Sequence, residues 1–93
     1  MMPGMAAFPA GSAWALVRDI TEGYFLLTER PLRLLSPAEL DQFNHELDRK
    51  MRDLRGEVVP ADDVQGNQQK NRRLSRLRGA QVLLQGYRSR ARR

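Results

Sequence analysis

The chain has 93 residues, a formal net charge of +5 and no cysteine. This length gives one small domain, near the size at which a single hydrophobic core is only just sufficient. The absence of cysteine excludes disulfides, zinc sites built on thiolates and a thiol nucleophile. We therefore expect the stability to come from well-formed helices or from self-association.

The beginning of the chain is apolar but lacks the features of a targeting signal. A secretory signal needs a positive leader and an unbroken apolar run, whereas this segment has no basic residue before Arg18 and contains prolines and glycines. No stretch reaches the ~20 apolar residues of a membrane span. We expect a flexible tail over residues 1–11, a single domain over residues 12–93, and a cytoplasmic protein without a membrane partner.

The segment over residues 12–35 predicts a short β-hairpin or, as the alternative, a short helix. Gly23 can take the left-handed conformation that closes a hairpin turn, and it would interrupt a helix over residues 13–28. The hairpin is therefore favoured, although other apolar residues of the segment also fit the period of a helix. The residues that alternate as they would in strands are Trp14, Leu16, Leu32 and Leu34.

Residues 36–56 predict a helix with a well-defined start. Ser36 and Glu39 have the spacing of a capping box, and Pro37 occupies the first turn, where proline is tolerated. A narrow apolar stripe follows and resembles a coiled-coil seam that faces about one partner helix. Gly56 ends the helix. The residues of the stripe are Leu40, Phe43, Leu47, Met51 and Leu54.

Residues 61–90 predict a second helix, which is strongly basic. Asp62 and Gln65 resemble a second capping box, but Gly66 weakens the first turns, so that the helix could begin as late as Asn67. The short connection makes the two long helices antiparallel neighbours.

The expected register pairs the two helices around a turn near Val59. It places the apolar stripe of the first helix opposite Leu74 and Leu77. Residues 79–93 then extend beyond the first helix, and only the N-terminal segment is left to cover their apolar side chains. The fold class that we predict is mainly α, with α+β as the alternative. It is an antiparallel helical hairpin with a short N-terminal β-hairpin or helix packed on its open end.

Charge is divided unevenly along the chain. Residues 1–65 contain seven Lys/Arg and eleven Asp/Glu, whereas residues 66–93 contain nine Lys/Arg and no acid. Such asymmetry usually indicates an acidic partner for the basic half, and surface arginines can neutralise phosphates without sequence preference. The candidate nucleic-acid contacts are Arg72, Arg73, Arg76, Arg78, Arg88, Arg90, Arg92 and Arg93.

The same arginines have an internal alternative, which is pairing with acids of the first long helix. Each exposed pair would contribute only ~0–1 kcal/mol. In the expected register, the last four arginines have no acid opposite and should be free for a partner. The expected internal pairs are Asp41 with Arg76 or Arg78 and Glu46 with Arg72 or Arg73.

A row of small residues marks a second candidate interface on the basic helix. Its two glycines would lower the stability of a helix by about 2 kcal/mol. Another interaction should compensate for this loss. Small residues allow another backbone to approach closely, which suits a dimer or a docked partner. The alternative is a poorly formed helix end in which glycine costs little. The residues of this small-residue face are Ser75, Gly79, Val82, Gly86 and Ser89.

Few residues carry the chemistry of an active site. Asp41, His45 and Asp48 share a helical face that could ligate a divalent metal, but such a face is far more often solvated. We expect no enzyme, no metal and no cofactor. We expect a non-catalytic regulatory or accessory protein that engages nucleic acid or a nucleoprotein through the basic helix. The alternative is a protein–protein adaptor or assembly factor that acts through the helical hairpin, with a homodimer as one form.

Overall fold

The computed structural model describes residues 8–91, which form four helices and no β-strand. Helix α1 packs against both long helices, the long helices pack against each other, and α2 packs against α4. No helix within residues 8–91 combines the length and the apolar character needed to cross a bilayer. The elements are α1 (Ala13–Thr21), α2 (Glu29–Leu32), α3 (Pro37–Gly56) and α4 (Val64–Ala91).

Helix α1 takes the place of the expected N-terminal β-hairpin. The hydroxyl of Ser12 caps its start. At its end Gly23 has a φ of +81°, and its N–H donates to Ile20 O at 3.1 Å while the N–H of Tyr24 donates to Asp19 O at 2.8 Å. These two bonds form a Schellman motif. The left-handed glycine therefore ends a helix and does not close a hairpin, so the short-helix alternative describes this segment.

The alternation that favoured strands has a helical explanation. Leu16 is buried and Trp14 is exposed because α1 turns one face toward the core and the other toward solvent. Leu32 is buried at the end of the short helix α2, and Leu34 is exposed in the connection that follows. Two apolar residues separated by one position fit the two-residue period of a strand and also occur in a short helix. Such a pair could therefore not distinguish a strand from a helix.

Phe8 belongs to the core, although the sequence placed it in a flexible tail. Its side chain is 6% exposed and packs within the same cluster as the helices. Its carbonyl oxygen accepts a hydrogen bond from the N–H of Gly11 at 3.0 Å. The ordered part of the domain therefore includes Phe8. Residues 1–7 of the predicted tail lie outside the described residues.

Helix α3 matches its prediction. The N–H of Glu39 donates to Ser36 Oγ at 3.2 Å and the N–H of Ser36 donates back to Glu39 Oε1 at 2.8 Å, which completes the capping box. All five residues of the predicted apolar stripe are buried. Leu74 and Leu77 of α4 are buried in the same core, as expected.

Helix α4 begins with a cap on Asp63. Asp63 Oδ1 accepts the N–H of Gly66 at 2.9 Å. A Cβ atom on Gly66 would collide with this carboxylate, so glycine leaves room for the cap. The side-chain amide of Asn67 donates to Pro60 O at 3.0 Å and to Asp63 O at 2.9 Å. The first turns of α4 are therefore fastened to the connection between the two long helices.

Helices α3 and α4 run antiparallel in a register that differs from the expected one. Near the connection, Lys70 Nζ donates to Glu57 O at 2.7 Å, and at the far end Arg88 Nη2 lies 2.6 Å from Asp41 Oδ1. The expected register placed Asp41 near Arg76, so α4 is displaced by about three helical turns. The cause is that the first turns of α4 lie beside the connection and not beside α3.

Candidate partner-binding surface

Two arginines of α4 hold the C-terminal end of α1. Arg73 Nη2 donates to Glu22 Oε1 at 3.3 Å, and Arg76 Nη1 donates to Thr21 O at 3.0 Å. Carbonyl groups at a helix C-terminus lack partners within the helix, and a cation there is favourable. Arg73 and Arg76, which the sequence proposed as nucleic-acid contacts, therefore take part in the packing of α1 on α4.

Gly23 makes the contact of Arg76 with α1 sterically feasible. A Cβ atom at Gly23 would lie 3.0 Å from Arg76 Cζ and 3.1 Å from its Nη2. Any side chain would therefore press on the guanidinium as well as occupy a backbone conformation that L-residues rarely adopt. The same glycine ends α1 and accommodates Arg76.

The arginines near the end of α4 are also paired. Arg88 binds Asp41, and Arg90 Nη2 lies 2.5 Å from Glu29 Oε2. The sequence expected these two arginines to be free. The different register of the long helices explains the pair with Asp41, and the packing of α2 against α4 explains the pair with Glu29. The hydrogen bond from Arg33 holds the pKa of Glu29 below its ordinary value of 4.5. Desolvation acts in the opposite direction, and the charge of Arg90 also lowers this pKa.

Arg72, Arg76 and Arg78 are the exposed arginines of α4 that make no ion pair within the described residues. Arg76 donates to the carbonyl of Thr21, whereas Arg72 and Arg78 make no side-chain hydrogen bond among those residues. The expected assignment paired Glu46 with Arg72 or Arg73 and Asp41 with Arg76 or Arg78. Instead Glu46 lies 3.9 Å from Arg49 of its own helix. Arg92 and Arg93 lie outside the described residues.

An apolar groove runs between the segment after α1 and one side of α4. We call it the docking groove, and its volume is about 500 Å³. Arg76 lies at its edge, and none of the residues that line it is acidic. It is therefore an apolar depression with a positive border. The residues that define it are Ile20, Phe25, Leu26, Ser75, Gly79 and Leu83.

Large apolar side chains stand exposed at and around the docking groove. Leu26 is 84% exposed, its neighbour Tyr24 is 82% exposed, and Val82 of α4 is 68% exposed. Val82 lies three residues after Gly79 and therefore on the same side of the helix. Clusters of exposed apolar side chains mark interaction sites more often than isolated ones do.

The small-residue face of α4 is open to solvent and continues from the docking groove. Nothing lies within 4 Å of a Cβ atom built on Gly79, and one built on Gly86 would meet only Arg90 Nη1 at 3.6 Å. Ser75 and Gly79 belong to both surfaces. The described residues therefore leave this face unoccupied, and the helix around it is well formed from Val64 to Ala91.

Two other candidates have weaker geometry. A depression of about 110 Å³ beside Trp14 is lined by side chains of both charges, and Arg18 covers the indole ring at 5.2 Å from its centroid. Asp41 of the proposed metal face is bound to Arg88, and residues 8–91 contain no group of three or more side chains able to hold a metal ion.

The predicted β-hairpin did not include the wall of the docking groove that Phe25 and Leu26 form. In a hairpin that turns at Gly23, these two residues would lie in the strand after the turn, where alternate side chains are buried. The sequence did contain a signal for this wall. An apolar run that directly follows a glycine at the end of a helix is not part of the helix, so no helical face buries its side chains. Comparison of the chain with protein-family models, with curated proteins and with solved structures found no match.

Proposed function

We propose that this protein is a non-catalytic adaptor or assembly factor that binds a partner protein through the docking groove and the adjoining small-residue face. The observation that carries the proposal is the exposure of Leu26 beside a glycine, Gly79, that has open space above it. An exposed apolar side chain next to an open backbone can contribute buried area and close packing once a partner covers both.

Two contacts that position the walls of the groove support this proposal. Arg76 binds the last turn of α1 from one wall, and the Schellman motif at Gly23 sets the direction of the segment that forms the other wall. A surface that is already in its binding conformation loses less conformational entropy on association. The exposed apolar residues between these walls are therefore expected to provide most of the binding energy.

A selection from an unrestricted peptide-display library tests this function. We expect wild-type protein to enrich peptides that lose binding to the Leu26→Asp and Gly79→Leu variants. Val58→Asp is the matched control, because Val58 is 94% exposed in the connection after α3 and lies outside the groove. Circular dichroism should show equal helicity for all variants. Peptides that bind every variant as they bind the wild type would rule out the groove as the binding site.

Nucleic-acid binding is the second candidate, and the exposed, unpaired state of Arg72 and Arg78 favours it. The chain from Gly66 onward contains no acid to repel phosphates. In this proposal the middle of α4, and not its paired end, contacts the phosphate backbone.

A salt series on duplex DNA and RNA tests the second candidate. If it is right, the Arg72→Gln/Arg78→Gln double variant should flatten the salt dependence on DNA by about 0.9 per lost contact without changing the melting temperature. The Arg88→Gln/Arg90→Gln variant is the comparison, because its main effect should be on stability. No binding at low salt would remove nucleic acid from consideration.

A further inference from the structure

We infer that the docking groove takes an amphipathic helix of a partner protein that carries acidic residues beside its apolar stripe. The inference rests on the proposed protein-binding function and specifies the chemistry of the partner. Three features lead to it: the dimensions of the groove, the charges around it, and the composition of α4.

The dimensions of the groove suit a helix. From Ser75 to Leu83 it follows α4 for about 12 Å, which is a little over two helical turns. Gly79 in the middle of this length has nothing within 4 Å of its Cβ position, so a second helix could come close to the backbone. Leu26 and Leu83 also line the groove and provide apolar contacts for an apolar stripe. Helix-in-groove binding uses this combination of a trough and apolar side chains at helical spacing.

The charges around the groove call for a partner with acids. The guanidinium of Arg76 lines the groove, and within the described residues it donates to the carbonyl of Thr21 and to no carboxylate. Arg72 lies one helical turn before Arg76 on the same side of α4, and Arg78 borders the small-residue face. Arg72 and Arg76, two cations without a carboxylate partner, thus border a groove that has no acid of its own, and Arg78 adds a third such cation beside the small-residue face.

A second copy of this chain fits the surface poorly. A two-fold dimer through the small-residue face would pack α4 on α4, because each residue then faces a residue of the same set. No residue from Val64 to Ala91 is acidic, and Arg72 and Arg78 would then face only neutral or cationic side chains. Like charges at an interface disfavour association. An acidic helix from another protein meets the same groove without this repulsion.

A restricted peptide-display library tests the inference. Its members are 16-residue helices with a fixed leucine stripe and with Glu, Gln or Lys allowed at the flanking positions. We expect glutamate to be enriched, and a synthetic Glu-flanked helix to bind about tenfold more tightly than its Gln-flanked counterpart at low salt. The Arg72→Gln/Arg78→Gln variant should lose most of this preference. Arg52→Gln, which removes an exposed charge from α3, should keep it.

The outcomes separate the inference from the function on which it rests. Groove-dependent binding that shows no preference for glutamate, or that prefers lysine, would overturn the acidic partner and leave the docking function intact. A doubled mass in solution that Gly79→Leu abolishes would show that the occupant is a second copy. A library in which no peptide distinguishes wild type from Gly79→Leu would remove both the function and the inference.

Discussion

At the residue scale, arginines within one stretch of α4 have different roles although their sequence context is similar. Arg73 and Arg76 contact the end of α1, whereas Arg72 and Arg78 are exposed without an ion pair among the described residues. Arg73 and Arg76 are three residues apart and therefore share the face of α4 on which α1 packs. The sequence did not show which face of α4 the N-terminal segment would cover. The sequence predicted that some arginines pair internally, but the predicted pairs were wrong: Arg88 and Arg90, which were expected to be free, bind Asp41 and Glu29.

Replacing Arg76 should show its structural role. Arg76→Gln removes a charge-assisted hydrogen bond to the C-terminal turn of α1 and should lower the free energy of unfolding by about 1 kcal/mol. Arg78→Gln is the control and should change it by less than about 0.5 kcal/mol. Urea unfolding followed by circular dichroism measures both. Equal effects of the two variants would contradict the assignment of Arg76.

The ion pairs of Glu29 predict a specific dependence of stability on pH. Because Arg33 and Arg90 lower the pKa of Glu29 in the folded state, its contribution is fully present above its ordinary value of 4.5. That contribution is lost as the pH falls through the lowered folded pKa. The difference in unfolding free energy between wild type and Glu29→Gln should therefore shrink at acidic pH, and Arg33→Gln should reduce it at neutral pH. A difference that grows on acidification would contradict this.

At the element scale, the elements that were predicted correctly are those whose structure is determined by their own residues. The capping box and the stripe of α3 are complete within the helix itself, so its bounds and its buried face could be predicted from the sequence. The end of α1 depends on Gly23, whose positive φ suits a hairpin turn and a Schellman motif equally well. The wall of the docking groove formed by Leu26 follows from that ending, so it could not be anticipated once Gly23 was placed in a hairpin.

Gly23→Ala should reveal the two demands on this position. The alanine would hold a left-handed φ and press on the guanidinium of Arg76, which together should cost about 2 kcal/mol of stability. Gly11→Ala is the matched control, since Gly11 has a φ of +94° but nothing within 4 Å of its Cβ position. Gly11→Ala should lose only the stability that corresponds to the strained left-handed φ, about 1 kcal/mol. Identical losses would mean that the contact with Arg76 adds nothing.

At the scale of the whole molecule, the two halves with opposite charge meet across the fold. Three ion pairs within residues 8–91 join arginines of α4 to acids that precede it: Arg73 to Glu22, Arg90 to Glu29 and Arg88 to Asp41. The positive half is therefore partly neutralised by the chain itself. What remains for a partner is the border of the docking groove, where the positive charge lies beside apolar surface.

Leu47 tests whether the domain has a single cooperative core. Its side chain is fully buried in the stripe of α3, so Leu47→Asp would place a charge without a partner in the core and should unfold the domain. Loss of far-ultraviolet circular dichroism measures this. The conservative Leu47→Ala should remain folded with a loss of about 3 kcal/mol. Unchanged melting of the aspartate variant would show that α3 does not hold the core together.

The contacts that join α1 to α4 span most of the chain, and this has a consequence for the order of folding. The partners of Arg73 and Arg76 lie 51 and 55 residues away in sequence, whereas α3 and α4 are joined by a short connection. Closing a long loop costs entropy before its contacts form, so we expect the α3–α4 pair to form in the transition state and α1 to dock afterwards. Leu54→Ala should then slow refolding, while Arg76→Gln should mainly accelerate unfolding. The docking groove, which α1 and its following segment complete, would accordingly be the last surface to form and the first to open.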